Sequence, residues 1–293
     1  MRRPALGRII SDGPRPPPRS VTTASLVVST YNWKEALALC LRSIAAQRTL
    51  PLEVVVADDG SRADTGAMVR EMARDFPVPL IHAWQEDAGF RLARARNLGI
   101  AASSGDYVIF LDGDLILHPD FVADHLALIR PGIFLQGGRL NATPEESKRL
   151  LAGGKPRFSP FMDGTFKRKH ALRLPWLARH KSRTAEGGQM MGCNMGIWRT
   201  DLDRVNGFDD DYEGWGREDD DISARLKHAG LTRRPIRFAG LAIHLWHNTR
   251  WPDGIPPTEV LPNDRFFNKV LAEKTVRCER GLDAHVARAR AAA

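Results

Sequence analysis

YVIFLDGDLILHPD, residues 107–120, is an apolar run broken twice by acidic turns. Val108, Ile109, Phe110 and Leu111 come in succession, and a run rich in β-branched and aromatic residues suits a strand buried on both faces of a parallel sheet. It stops at Asp112-Gly113-Asp114, resumes as Leu115-Ile116-Leu117, and stops again at His118-Pro119-Asp120. Two carboxylates at the end of a buried strand are costly unless solvent or a cation compensates them. Hard divalent cations take oxygen ligands and are commonly held by one or two carboxylates plus substrate phosphates. Asp112 and Asp114 are therefore candidates to hold a metal–nucleotide complex; a solvated turn is the plain alternative, because Asp and Gly are ordinary turn residues.

Upstream of this strand the pattern is regular. Ser25 to Thr30 is a short β-rich run, and Lys34 to Gln47 follows with Leu37, Leu41 and Ile44 at helical spacing. Leu52 to Ala57 is a second β-rich run that closes on Asp58-Asp59-Gly60-Ser61. A helix over Ala63 to Arg74, a strand near Pro79 to Ala83 and a helix through Leu92 to Ala102 complete the approach to Tyr107. Such alternation predicts an α/β fold with an open, mostly parallel, twisted Rossmann-like sheet and helices on both faces, binding ligands beyond the carboxyl ends of its strands. Ser29, Thr30 and Asn32, then Asp58 and Asp59, then Asp112 and Asp114 should accordingly face one crevice. No Gly-x-Gly-x-x-Gly follows the first strand, so a dinucleotide-binding reading lacks its main support. Gly89-Phe90-Arg91 and Arg94-x-Arg96-Asn97 bring cations to a helix N-terminus, which suits a diphosphate; a solvated helix face is the alternative.

Composition narrows the classes further. The 293-residue chain carries a net charge of +8, which favours anionic partners without choosing among them. Much of the excess lies between Thr165 and Arg183, where Lys167, Arg168, Lys169, Arg173, Arg179, Lys181 and Arg183 mix with Phe166, Leu172, Leu174, Trp176 and Leu177 and with no acidic residue. Cations interleaved with apolar anchors suit a membrane surface, against a merely solvated basic loop. Cys40, Cys193 and Cys278 are far apart, which argues against a disulfide framework or a zinc site and fits a reducing compartment. No apolar run is long enough to span a bilayer, so the expected location is cytoplasmic, with peripheral contact at the inner face of the membrane.

Beyond Ile133 the alternation gives way to Gly-rich and Pro-rich connections. Gly188 to Trp198 reads as a strand pair, or a strand with close backbone approach. Asp209 to Ile222, DDDYEGWGREDDDI, leads into a helix with Ile222, Leu226 and Ala229 on one face. One or two acidic residues in a first helical turn are favoured by the macrodipole, but Glu218 to Asp221 in succession repel one another. A catalytic task explains them better, with one carboxylate bonding a hydroxyl and another removing its proton. His244-Leu-Trp-His247 adds two imidazoles at a spacing that can reach one metal. Phe266, Phe267, Val270 and Leu271 read as a C-terminal helix.

Over roughly Ser25 to Asn248 the chain resembles the family-2 nucleotide-diphospho-sugar glycosyltransferases of GT-A fold, and its second half resembles the galactosyltransferase and chondroitin-polymerase type. The matching elements, in order, are VVSTYN (27–32), VVVADDGS (54–61), ARARNLGI (93–100), FLDGD (110–114), GWGREDDD (214–221) and HLWH (244–247). The resemblance implies that Ser29 and Asp59 contact the nucleotide, Asp59 through the base, and that Arg91 touches base or phosphate. It implies Asp112 at the ribose or the metal, Asp114 as ligand of Mn²⁺ or Mg²⁺, and His247 as a further ligand, alone or together with His244. Trp215 would wall the sugar site, Glu218 would bind a sugar hydroxyl and Asp219 would be the general base. Arg217 stands where the galactosyltransferase type often has Gly, which places a long cation beside the sugar site and puts donor or acceptor preference in question.

The expected activity is therefore inverting, metal-dependent transfer of a hexosyl or N-acetylhexosaminyl group from a nucleotide-diphospho-sugar, UDP-sugar favoured. The expected acceptor is a hydroxyl of a glycan or lipid-linked molecule, as in bacterial surface polysaccharide or glycolipid synthesis. A non-catalytic sugar-binding module of the same fold is the alternative, and intact Asp112, Asp114 and Asp219 argue against it. A nucleotidyltransferase making the activated sugar is disfavoured by the block at 214–221. Nucleic acid is not an expected partner, because acidic clusters interrupt the basic surface. The expected organisation is a flexible Pro- and Arg-rich leader at 1–22, a catalytic domain at 23–250 with a nucleotide-binding half (23–135) and an acceptor half (136–250), and a helical extension at 251–293.

Overall fold

The structure, a computed structural model, describes residues 22–166, 171–180, 192–248 and 262–292, with side chains as far as 287. The leader and the basic residues Lys167, Arg168, Lys169, Lys181 and Arg183 lie outside the described residues.

The alternation read from the sequence is realised with shifts of one or two residues. Strands β1 (Ala24–Thr30), β2 (Glu53–Asp58), β3 (Leu80–Trp84) and β4 (Tyr107–Asp112) are separated by helices α1 (Lys34–Ala45), α2 (Ala63–Ala73) and α3 (Leu92–Ala101). All pair in parallel, with β4 and β2 on either side of β1. Successive side chains leave a strand on opposite faces, so this sheet serves two cores. Leu26, Val28, Ile109 and Leu111 pack with Leu37, Leu41 and Ile44 of α1 on one side. Val27, Val55, Val108 and Phe110 pack with Ala93 and Ile100 of α3 on the other.

The second half of the chain extends the same sheet. Strand β6 (Ile133–Gln136) crosses residue 135, and the seven-stranded order is β10-β6-β9-β4-β1-β2-β3, with β9 (Asn194–Trp198) and β10 (Thr232–Pro235). β9 runs antiparallel between β4 and β6. It carries the close approach expected of this glycine-rich stretch, because a Cβ on Gly196 would lie 2.0 Å from the Tyr107 hydroxyl. A smaller sheet of order β5-β11-β7-β8 begins where the apolar run resumes after Asp114: β5 (Leu115–Leu117), β7 (Leu140–Ala142), β8 (Thr165–Phe166) and β11 (Ala242–His244). Its antiparallel β5–β11 pairing brings His244 opposite Leu115, the residue after Asp114.

Helices α4 (Phe121–Leu128), α5 (Pro144–Leu151), α6 (Pro175–His180) and α7 (Arg199–Val205) connect these strands, and α8 (Glu218–His228) packs on the α3 side of the large sheet through Ile222 and Leu226. After residue 261 the chain forms α9 (Pro262–Glu273) and α10 (Leu282–Ala292), which lean on α8 and α3 respectively. No described helix is long and apolar enough to cross a membrane.

Candidate active site

The acidic turn after β4 is seated on the end of β1. Gly113 N–H donates to the Ser29 carbonyl at 2.7 Å, and a Cβ there would stand 2.9 Å from that oxygen, so glycine is what lets the turn lie flat. The Ser29 hydroxyl beside it is buried with no hydrogen-bond partner among the described residues. The next strand end also comes into place, with Asp59 N–H bonded to the Thr30 carbonyl at 3.0 Å. The two acids of that strand differ in use. Asp58 is a fastener, accepting from Ser61 N–H and paired with His82, each at 2.8 Å. Asp59 accepts from the Arg91 N–H at 2.8 Å and from the Gln85 amide. Burial raises the Asp59 pKa, and the Arg91 N–H opposes that rise. Arg91 thus reaches Asp59 through its backbone, and its guanidinium donates to the Glu86 carbonyl.

Asp114 meets both imidazoles of the HLWH segment. Its Oδ2 lies 3.2 Å from His244 Nε2 and 3.3 Å from His247 Nε2, and Leu245 N–H clamps the Asp114 carbonyl at 3.0 Å. The other carboxylate oxygen, Oδ1, is buried without a hydrogen-bond partner among the described residues. Burial alone would raise this pKa, but the hydrogen bonds from the two histidines hold Asp114 well below the usual carboxylate range, and the same bond lifts His247 above its ordinary value. One carboxylate and two imidazoles offer ligand atoms all within 4.8 Å of one another. An orphaned buried oxygen beside two ring nitrogens fits a divalent cation.

Asp112 is held differently, between two arginines. Arg96 Nη2 stands 3.5 Å from its Oδ1 and Arg139 Nη1 3.8 Å from its Oδ2. Arg96 also reaches Glu218 Oε1 at 3.4 Å. A single guanidinium, 2% exposed and stacked over Phe208, therefore bridges the acidic turn of β4 to the start of α8. Arg96 is not on the surface to receive a diphosphate, as its place at a helix start suggested; it faces inward because α3 turns that side to the core. Asn97, its neighbour, is wholly structural and bonds Phe208 O, Phe208 N–H and Asp210.

A helical turn sends the four acids Glu218 to Asp221 in different directions, and three of them take a cation of their own, although Glu218 and Asp220 still repel the charge on Asp219. Glu218 faces Arg96, Asp220 takes Arg217 at 2.9 Å, and Asp221 takes Arg225 and Tyr212. Asp219 instead accepts two backbone N–H groups on its carboxylate, from Gly192 at 2.9 Å and Asp220 at 2.8 Å. Burial, then the charge of Glu218, push its pKa up to about 7 against the pull of Arg96. Burial also raises Glu218, with Arg96 opposing. Trp215 is part-exposed on the turn before α8, and Gly214 N–H ties that turn to the Phe90 carbonyl at 2.8 Å.

Arg217 corrects one expectation. Its guanidinium is not left free next to Trp215 and Glu218; it donates to Asp264 of α9 at 2.6 Å and lies over Phe267. The same helix contributes Asn263, whose amide reaches the carbonyls of Glu213, Trp215 and Gly216. Neither Asn263 nor Arg139 carried a signal in the sequence beyond, for Arg139, the Gly-Gly pair that precedes it. In the basic stretch Arg173 is consumed by Asp124 and Asp120, whereas Phe166 and Trp176 are exposed.

Comparison with known proteins shows the family. Residues 25–204 match glycosyl transferase family 2, and residues 177–248 match the N-terminal domain of galactosyltransferase. The chain is 30% identical over 245 residues to the chondroitin synthase of Escherichia coli, covering 75% of this chain and 34% of that one. It is 30% identical over 239 residues to the validoxylamine A glucosyltransferase of Streptomyces hygroscopicus subsp. limoneus, covering 72% and 49%. It thus spans about a third to a half of the length of these relatives. The crystal structure of GalNAc-T7 with UDP, GalNAc and Mn²⁺ superposes with a TM-score of 0.61 at 17% identity, covering 86% of this chain and 48% of that one.

Proposed function

The chain belongs to glycosyl transferase family 2 and has a GT-A fold, and from that premise we propose that it is an inverting, metal-dependent glycosyltransferase. Its donor is a nucleotide-diphospho-sugar, UDP-sugar favoured, and its acceptor a hydroxyl of a glycan or lipid-linked molecule in surface polysaccharide or glycolipid synthesis. The observation that carries the reading is the Arg96 bridge, which ties Asp112, two residues before Asp114, to Glu218, the residue before Asp219. A pure binding module has no use for a buried base with a pKa near neutrality beside a metal-ligand cluster. The division of labour follows the chain, with residues 23–135 serving the nucleotide and 136–250 the sugar and acceptor.

Each side chain has a task its surroundings suit. Ser29 offers an unpartnered hydroxyl to the nucleotide, Asp59 faces the base, and Arg91 sets the position of Asp59. Asp114, His244 and His247 would hold Mn²⁺ or Mg²⁺, with Asp112 at the ribose or the metal. Such a cation neutralises charge developing on a departing nucleoside diphosphate. Glu218, oriented by Arg96, accepts from a sugar hydroxyl, and Trp215 walls the sugar. Asp219 takes the proton of the attacking hydroxyl, because its neighbours leave it neutral until about pH 7 and basic above it. One base and one displacement from the opposite face invert the anomeric centre.

The test is calorimetric titration with UDP, GDP and dTDP, each with and without Mn²⁺, on the wild type and on Asp114→Ala. Metal-dependent binding of one nucleotide, lost in the variant, is the expected result. Metal-independent binding, or none to any nucleotide, would overturn the metal role and favour the binding-module alternative.

A further inference from the structure

Asp112 has more cationic company than it needs. Arg96 already offsets it from a sealed position, 2% exposed, where Phe208 and Gly192 close over the guanidinium and a Cβ on Gly192 would lie 2.5 Å from Nη2. Arg139 stands on the other side of the carboxylate at 3.8 Å, beyond hydrogen-bond range, with its side chain 24% exposed. Its Nε is buried with no hydrogen-bond partner among the described residues. Of the two arginines, only Arg139 can be touched by a ligand.

Its placement is built from beneath. Asn194 accepts Gly137 N–H on its carbonyl at 2.7 Å and donates its amide to the Gly138 and Gly240 carbonyls at 3.0 and 3.1 Å. His125 is bonded to the Asn194 side-chain oxygen at 2.9 Å. A Cβ on Gly137 would fall 2.1 Å from that amide, so the Gly137-Gly138 turn can lie against Asn194 only as glycine. This buried clamp launches Arg139 at the head of β7, whose Asn141 is in register with His244. The Arg139 charge is felt by Asp112, Asp114 and His247 together.

A planar guanidinium with more donors than its hydrogen bond to the Cys193 sulfur uses, facing a cluster of groups able to ligate a metal, is matched by an oxyanion with several acceptor oxygens. We propose that Arg139 is a donor-binding residue that takes the diphosphate of the nucleotide-sugar from the side opposite Arg96. This rests on the nucleotide-sugar reading above and adds to it the residue that distinguishes a diphosphate from a monophosphate. On binding, Arg139 exchanges its loose contact with Asp112 for hydrogen bonds to phosphate oxygens, and Asp112 keeps Arg96.

The experiment compares UDP with UMP, GDP with GMP and dTDP with dTMP by calorimetry, in Mn²⁺ and in EDTA, on the wild type, Arg139→Gln and Arg139→Lys. For the nucleotide that the wild type binds, Arg139→Gln should weaken the diphosphate by about 10- to 100-fold and the monophosphate by less than about threefold, with Arg139→Lys between. That preference is read in Mn²⁺, where the wild type binds, and should vanish in Arg139→Gln; EDTA, which should abolish binding of the wild type and both variants alike, is the control. A purely structural arginine would lower the melting temperature and leave the diphosphate-to-monophosphate ratio unchanged, which overturns the proposal. If Arg139→Gln does not fold, the ratio in Arg139→Lys decides in the same way. A wild type that binds no nucleoside diphosphate removes the nucleotide-sugar reading itself, whereas binding with an unaltered ratio removes only the role of Arg139.

Discussion

Arg217 donates to Asp264 at 2.6 Å, and this bond anchors the turn that carries Trp215, Glu218 and Asp219 to helix α9. Arg217 has a φ of +75°, a region costly for any side chain but glycine. The strain is offset by the bonds to Asp264 and Asp220 and by the contact with Phe267. Arg217→Gly removes both strain and anchor. Because the ion pairs are partly exposed, thermal unfolding should change by no more than about 1 kcal/mol in either direction. Turnover should fall about 3- to 10-fold through loss of positioning, with nucleotide affinity unchanged. Unaltered kinetics with a freed turn, read by amide exchange over 213–217, would show that the anchor is not used.

Asp219 sets the expected pH dependence. Burial, and then the charges of Glu218 and Asp220, raise its pKa, and Arg96 and the Gly192 N–H lower it, leaving it at about 7. A general base works only when deprotonated, so kcat/KM should climb as pH rises from 5.5 to 8 and level off above about 7. Asp219→Asn should remove that limb and lower turnover by about 10²- to 10⁴-fold. The same shift makes the folded chain the tighter proton binder. The stability contributed by this carboxyl is therefore complete below its ordinary pKa and lost as pH rises through about 7. A flat rate profile between pH 5.5 and 8 in the wild type would exclude Asp219 as the base.

Asn97 offers a stability test that separates scaffold from site. Its side chain is fully buried and bonds Phe208 at both backbone groups and Asp210 at 2.8 Å. Asn97→Ala leaves those partners unsatisfied, which should cost roughly 3 kcal/mol and lower Tm by roughly 5–10 °C. Nucleotide affinity of the folded fraction should stay within about threefold. Weakened binding at an unchanged Tm would mean that Asn97 faces the ligand after all.

Membrane contact is tested on the stretch 165–183. Phe166 and Trp176 are exposed there, while Arg173 is committed to Asp124 and Asp120. Reversing the charge of Lys167, Arg168 and Lys169 should cut binding to vesicles of anionic phosphatidylglycerol by more than about tenfold, since each basic residue near such a surface contributes about 1 kcal/mol. Trp176→Ala should weaken the same binding in a salt-independent way. Vesicle binding indifferent to all four changes would leave the segment a solvated loop.

The sequence by itself determined the parallel core of β1 to β4 and the three polar strand ends. Those follow from local periodicity, and a buried strand followed by a glycine-flanked acid announces itself within a few residues. It also brought forward Asp112, Asp114, His244, His247, Glu218 and Asp219, because carboxylates and imidazoles crowded beside apolar runs are costly without a task. Only the tertiary structure decided what compensates each charge. Arg96 looked like a surface cation and is a buried bridge; Arg217 looked like a sugar-site residue and is an anchor to α9; Asp58 looked like a site carboxylate and fastens Ser61 and His82. These are partnerships across as many as 122 residues of chain. Coulombic and hydrogen-bond pairing depends on distance in space, which no local pattern of residues records.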